Sequence, residues 1–181
     1  MKATAAPLKG IVELEPRVFE DARGFFFESY NANTFSAILG ESVTFVQDNH
    51  SRSSRNTLRG LHYQIKQAQG KLVRVIAGEV FDVAVDLRRS SPTFGQWHST
   101  LLSADNKKQL WIPPGFAHGF LVLSDQAEVL YKATDFYAPQ HERTIRWDDS
   151  DIGIRWPLEA DPLVSDKDGD GLALQEAEVY P

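Results

Sequence analysis

The sequence predicts an all-β protein, an antiparallel jelly-roll β-barrel with a few short helices. Three observations carry that prediction. Short apolar runs recur at spacings of about 8 to 12 residues, parted by turn-rich stretches such as "EDARG", "SSPTFG" and "SADNKK", which favours a sandwich or barrel over alternating strands and helices. One long run, "KLVRVIAGEVFDVAVDLRR", alternates apolar and polar residues as half-buried strands do. Only one segment, "NANTFSAILG", has helical character.

Taken in chain order, strands are expected in "GIVELEPRVF" and "GFFFESY". The helix follows, with Asn33 or Thr34 as its cap and Gly40 as its stop. Strands resume in "SVTFVQDNHS" and "LRGLHYQ". In the long run, Phe81, Val83, Val85 and Leu87 alternate with Asp82, Ala84, Asp86 and Arg88. Val73 and Val75 alternate on the other side of Gly78-Glu79, so that pair reads as a hairpin turn. "WHSTLLS", "QLWIPP", "HGFLVLS" and "EVLYKATDFY" complete the strands. After Trp147, "DIGIRWP" and "DPLVSDKDGDG" read as turns and short helical pieces wrapped on the barrel. A chain of 181 residues with no break in composition is expected to form one domain over residues 1–181.

Composition narrows the function. Hydrophobic residues at 42% and charged residues at 24% match an ordered globular chain. A net charge of -6 argues against general nucleic-acid binding, which needs a basic face. It leaves room for a local positive pocket, for which Arg23, Arg59, Lys71 and Arg74 are the candidates, and such a pocket would steer a phosphorylated substrate. With no cysteine, thiolate chemistry and disulfides are excluded, which fits a reducing compartment. The start, "MKATAAPLKGIVELEP", has no apolar leader and no later segment is long and apolar enough to span a bilayer, so a cytoplasmic location without membrane contact is expected.

Two pieces resemble the cupin signature: "RGLHYQ", followed by Gly78, and "PPGFAHGF". A metal-binding cupin brings about three His and a Glu to one ion and opens with His-x-His. Here the opening is His62-Tyr63-Gln64, and Lys71 stands where that signature carries its Glu. An ammonium repels a cation, so no metal is expected. "DKDGDG" copies the first half of a calcium loop with Asp166, Asp168, Asp170 and Gly171, but Ala177 occupies the position that needs Glu, and a solvated turn is the simpler reading.

Six pieces in order, "RGLHYQ", "QGKLVRVIAGEVFDVAVDLR", "SPTFGQW", "PPGFAHGF", "LYKATDFYAP" and "SDKD", resemble the dTDP-4-dehydrorhamnose 3,5-epimerase family, over Gly10 to about Leu172. The resemblance implies a cupin-like jelly roll, a homodimer that exchanges part of its N-terminal region, a nucleotide-sugar substrate, and neither cofactor nor metal. It makes His62 the base that takes a proton beside a ketone, paired with Asp168, and Tyr131 the acid that returns a proton to the opposite face. Lys71, cationic where a metal cupin has a ligand, would meet the C4 oxyanion. The matching substrate-binding positions are Arg23, Glu28, Gln47, Asn49, Arg59, His118, Glu142 and Lys167. Of these, Arg23, Arg59 and Lys167 suit the pyrophosphate. Tyr137 matches an aromatic that stacks on thymine, with Phe136 beside it a plausible core residue. Exchange across the dimer would put Arg23 and Glu28 in the neighbour's site.

His50, His98 and His141 carry no comparable match and read as surface or packed histidines. Two other functions remain open at this level. Relatives with the same base and acid epimerise one carbon only, and a non-catalytic ligand-binding cupin would use His62 and His118 merely as satisfied core residues. A ketoisomerase of the same fold stands further off.

Overall fold

The computed structural model describes residues Met1–Pro181. Thirteen strands form two packed antiparallel sheets and one separate hairpin. The first sheet holds β1 (Lys2–Ala5), β2 (Val12–Glu15), β10 (Gln109–Ile112), β7 (Lys71–Ala77), β12 (Gln126–Ala133) and β5 (Gln47–Ser54), in that spatial order. The second holds β13 (Glu142–Thr144), β6 (Leu58–Gln64), β11 (Phe116–Val122), β8 (Glu79–Asp86) and β9 (Trp97–Ser103). β3 (Phe19–Asp21) and β4 (Gly24–Phe26) make the hairpin. The all-β jelly roll expected from the spacing of apolar runs is what forms, with two short helices, α1 (Ala32–Leu39) and α2 (Asp166–Gly169).

Between the sheets lies a core built from alternate positions of both: Val73 and Val75 of β7, Val129 of β12, Val80 and Ala84 of β8, and Phe116, Phe120 and Val122 of β11. Two further apolar layers cover the outer faces. Helix α1 lays Phe35 against Leu14, Leu72 and Trp111 on the back of the first sheet. The segment after Trp147 lays Ile152, Leu174 and Ala177 against Leu61, Tyr63, Val83, Val85 and Leu87 on the back of the second, as the wrapped tail was expected to do. Burial of each such side chain contributes about 1.5–3 kcal/mol, so strands covered on both faces are the most strongly fixed.

Several expectations change. Gly78-Glu79 is no hairpin: β7 pairs with β10 and β12, while β8 pairs with β11 and β9. The chain crosses from one sheet to the other at Gly78, whose positive φ of 72° and packing against the backbone of Gln126 allow a corner too tight for a hairpin pairing. β8 is not half-buried either: the tail covers its apolar face, Val83 and Val85, and the first sheet covers the face that alternation alone would leave to solvent, so Asp82 and Asp86 are both fully buried. The helix cap is Asn31, whose side chain accepts from the Asn33 and Thr34 amides, so the two residues expected to cap are the donors being capped. Gly40 does end the helix, in the left-handed region with its N–H on Ser36. Val43, Phe45 and Val46 precede β5 rather than belonging to it, and β1 and β13 are short strands that no apolar alternation announced.

At Gly78 a Cβ would sit 2.0 Å from the Gln126 carbonyl and 2.3 Å from the Ser124 hydroxyl. Gly78→Ala is therefore expected to lose on the order of 2 kcal/mol or more, the left-handed strain plus the displaced contacts, measured by urea unfolding.

Candidate active site

Polarity changes along the inward face of the barrel. On β7 the inward series runs Lys71, Val73, Val75, and on β12 it runs Tyr131, Val129, Ala127, so both strands become polar toward the same end. β6 presents Gly60, His62 and Gln64 there, opposite His118 of β11 across the register pair His118↔His62. Gly60 is required at this point, since a Cβ would lie 2.5 Å from the Gly119 Cα. The result is a cleft lined by Ser51, Arg59, His62, Gln64, Gln69, Lys71, His118, Tyr131, Tyr137, Glu142 and Lys167, with Tyr63, Gly119 and Phe120 behind them.

His62 Nε2 donates to Asp168 Oδ1 at 2.5 Å, and Asp168 is 2% exposed. The short helix α2 delivers this carboxylate: the Ser165 hydroxyl caps the Asp168 amide, which turns Asp168 inward while Asp166 and Asp170 of the same run stay exposed. Burial pushes the Asp168 carboxyl up, but the hydrogen bond and charge of His62, with help from the Gly60 amide and the Ser165 hydroxyl, hold it below the usual carboxylate range. Burial pulls His62 below its ordinary value against the upward pull of Asp168, with Lys167 and Lys71 adding to the fall. The imidazole is thus kept neutral near pH 7, oriented by one nitrogen and open at the other.

Lys71 is buried, 8% exposed, with Nζ 3.5 Å from the His62 carbonyl and 5.7 Å from the Tyr131 ring centre. Burial lowers its pKa to about 8, against the opposing pull of Asp82 and Glu142. Tyr131 stands on β12, next to β7 in the same sheet as Lys71 and across the cleft from His62; burial raises its pKa, as do Glu142 and Tyr137 against Arg59. At the mouth Glu142 accepts from Lys167 at 2.9 Å and from the Tyr137 hydroxyl at 3.0 Å. Gln47 donates to Asn49 at 2.9 Å, and Asn49 Nδ2 is buried with no partner. Arg59 donates to Ser53 at 3.0 Å.

Most of the residues singled out in the sequence therefore converge, although Gln47 and Asn49 on β5 do not line the cleft, Gln47 reaching it through the Tyr137 amide. Arg23 and Glu28 do not: Arg23 extends from the β3–β4 turn, paired with Asp21 and almost fully exposed, and Glu28 accepts from Asn31. Arg74 leaves the expected positive pocket altogether, because it is an odd number of residues from Lys71 on β7 and so faces the back of the sheet. Phe136 is not core but 59% exposed. His50 and His98 bond Glu128 and Glu13 at 2.8 and 3.0 Å, away from the cleft.

Two residues escaped sequence reasoning. Asp82 accepts from His118 Nε2 at 2.9 and 3.0 Å, a fully buried pair on the cleft floor. Its signal was a carboxylate inside a run apolar on both sides, which needs a partner if the strand is central. Gln64 was visible as two positions from His62 and hence on its face.

The family model for dTDP-4-dehydrorhamnose 3,5-epimerase matches residues 5–176. A Pseudomonas aeruginosa dTDP-4-dehydrorhamnose 3,5-epimerase is 63% identical over 181 residues, covering 100% of both chains. The Salmonella typhimurium dTDP-4-dehydrorhamnose 3,5-epimerase is 59% identical over 96% of this chain and 94% of its own. Among solved structures, a dTDP-6-deoxy-D-glucose-3,5-epimerase from Legionella pneumophila, in complex with dTDP-4-keto-L-rhamnose, superposes with a TM-score of 0.96 at 49% identity, covering 98% of this chain and 94% of that one.

Asp168 is the largest upward influence on His62. Asp168→Asn should therefore lower the His62 pKa further, which titration of its imidazole protons by NMR will read directly; an unchanged or higher value would mean that Asp168 does not control the imidazole.

Proposed function

The chain belongs to the dTDP-4-dehydrorhamnose 3,5-epimerase family, and on that premise we propose how its own residues perform the reaction. It is an isomerase of this type, epimerising C3 and C5 of dTDP-4-keto-6-deoxy-D-glucose to dTDP-4-keto-L-rhamnose in dTDP-L-rhamnose biosynthesis. Inverting a carbon beside a ketone needs a base on one face, a cation at the developing enolate oxygen, and an acid on the other face.

His62 is the base. Its neutral imidazole takes the proton from the carbon, and Asp168 stabilises the imidazolium that results. Lys71 faces the C4 oxygen and holds the enolate charge in a site from which most water is excluded. Tyr131 returns a proton to the opposite face; a phenol with a raised pKa is still acid enough for an enolate. The observation that carries this reading is the origin of the pair: the base stands on β6 and the acid on β12, so the two sheets present them from opposite sides of the cleft.

Arg59 and Lys167, joined by Arg23 from a neighbouring subunit, take the pyrophosphate, and Tyr137 stacks on the thymine. Gln47, Asn49, His118 and Glu142 hold the sugar and nucleotide, with Glu28 from the neighbour. The β3–β4 hairpin supports exchange in a homodimer, since it pairs with no other strand and leaves Phe19, Phe25 and Phe26 exposed. Residues 1–181 act as one domain, and the location is cytoplasmic. No helix is long and apolar enough to cross a membrane.

Reaction in heavy water tests the chemistry: deuterium is expected at both C3 and C5, and Tyr131→Phe should cut product formation while leaving substrate affinity near its original value. Label at one carbon would mark a single-carbon epimerase, and none at either with binding intact would mark a binding protein.

The pH profile of kcat/KM should be bell-shaped. Activity falls on the acid side as His62 gains a proton, below its ordinary pKa of about 6.5, because burial lowers it. It falls on the basic side as Lys71 loses its charge near pH about 8. Lys71→Gln should abolish the basic limb and cost about 10²- to 10³-fold in turnover; a basic limb that survives would assign it to another group.

A further inference from the structure

We propose that Gln64 is a positioning residue for the nucleotide end of the site: its buried amide sets the place of Tyr137 and thereby governs substrate affinity. The inference rests on the assignment of Tyr137 to the nucleotide. Tyr137 lies in a segment without a strand partner, between the end of β12 at Ala133 and the 3₁₀ turn Pro139–His141. Both Phe136 and Tyr137 are more than half exposed, so apolar packing does little to fix them.

Hydrogen bonds from side chains do that instead. Gln64, 3% exposed, donates through Nε2 to the Phe136 carbonyl at 3.2 Å and the Gln67 carbonyl at 2.8 Å, and its Oε1 accepts from the Ala138 amide at 2.8 Å. One amide group thus grips the residues on either side of Tyr137, as a neighbouring strand would. The Tyr137 amide itself donates to Gln47 Oε1 at 2.9 Å. The far end of the side chain is held as well, since the Tyr137 hydroxyl donates to Glu142, and Glu142 is the cross-strand partner of Gln64. The strand pair β6 with β13, joined by Gln47 of β5, therefore fixes the main chain and the hydroxyl of Tyr137 together.

Gln64→Met keeps the length and bulk of the side chain but removes its donor and its acceptor. The full-length protein is assayed for KM and kcat on dTDP-4-keto-6-deoxyglucose and for inhibition by dTDP, which probes the nucleotide alone. We expect KM and the dTDP inhibition constant to rise about tenfold, with KM rather than kcat carrying the change. In a Tyr137→Ala background the same substitution should add nothing, because the residue it positions is gone. Gln64→Leu, which likewise loses the donor and the acceptor, should match Gln64→Met, and it serves if the methionine variant does not fold.

A fall in kcat at constant KM, or an effect that persists in full in the Tyr137→Ala background, overturns the proposal. If Tyr137→Ala weakens dTDP binding and neither Gln64 variant does, the clamp alone fails. If Tyr137→Ala leaves dTDP binding unchanged, the assignment of Tyr137 fails and the clamp falls with it.

Discussion

A carboxylate taken out of water must find a partner or a proton, and Asp168 has found His62. Much of the site follows from that one constraint. Replacing the bond with water is closed off, because Asp168 is enclosed by the tail and by β6. Breaking it would leave an uncompensated buried charge, at a cost of several kcal/mol. The histidine is therefore held in one orientation and one tautomer without any substrate present.

The same logic explains why the polar groups gather at one end of the barrel. Inward positions that are Val75, Val80 and Val129 at one end become Lys71, His118 and Tyr131 toward the other. An apolar floor stiffens the walls, and above it each polar group is desolvated enough to feel its neighbours strongly. Lys71 is the clearest instance, for the burial that lowers its pKa is what makes its remaining charge effective at close range. Asp82 beneath it offsets part of that burial while holding His118, so one carboxylate serves two members of the cleft.

Much of this was legible in the sequence, and the failures have a common cause. Strand positions with local alternation, such as Leu58–Gln64 and Trp97–Ser103, appear in the fold as expected. Chemistry-bearing residues inside motifs, His62, Lys71, Tyr131 and Asp168 among them, meet as their resemblance implied they would. What went wrong depends on what lies above a strand rather than along it. Alternation in Glu79–Asp86 hid a second buried face because residues that pack over it, Leu110 and Val129 among them, lie on the other sheet and are distant in sequence. Gly78 reads the same whether it turns a hairpin or changes sheets, since both need a positive φ. Arg74 and Lys71 are both cations of β7, but strand periodicity sets the two on opposite faces.

The bond between His62 and Asp168 spans 106 residues of sequence. During synthesis, β6 is complete long before the chain that carries its partner has been made, and the barrel strands up to β12 precede α2 as well. Contacts this distant form late, because a long loop must close before they reward the closure. The pair of His62 and Asp168 is accordingly among the last features to be assembled, and among the first that local opening of the tail would remove. A molecule in which only that segment had come loose would keep its barrel and its substrate cleft, yet its histidine would have lost its partner. Loss of activity on mild heating would then mark the detachment of one segment, well before the sheets themselves gave way.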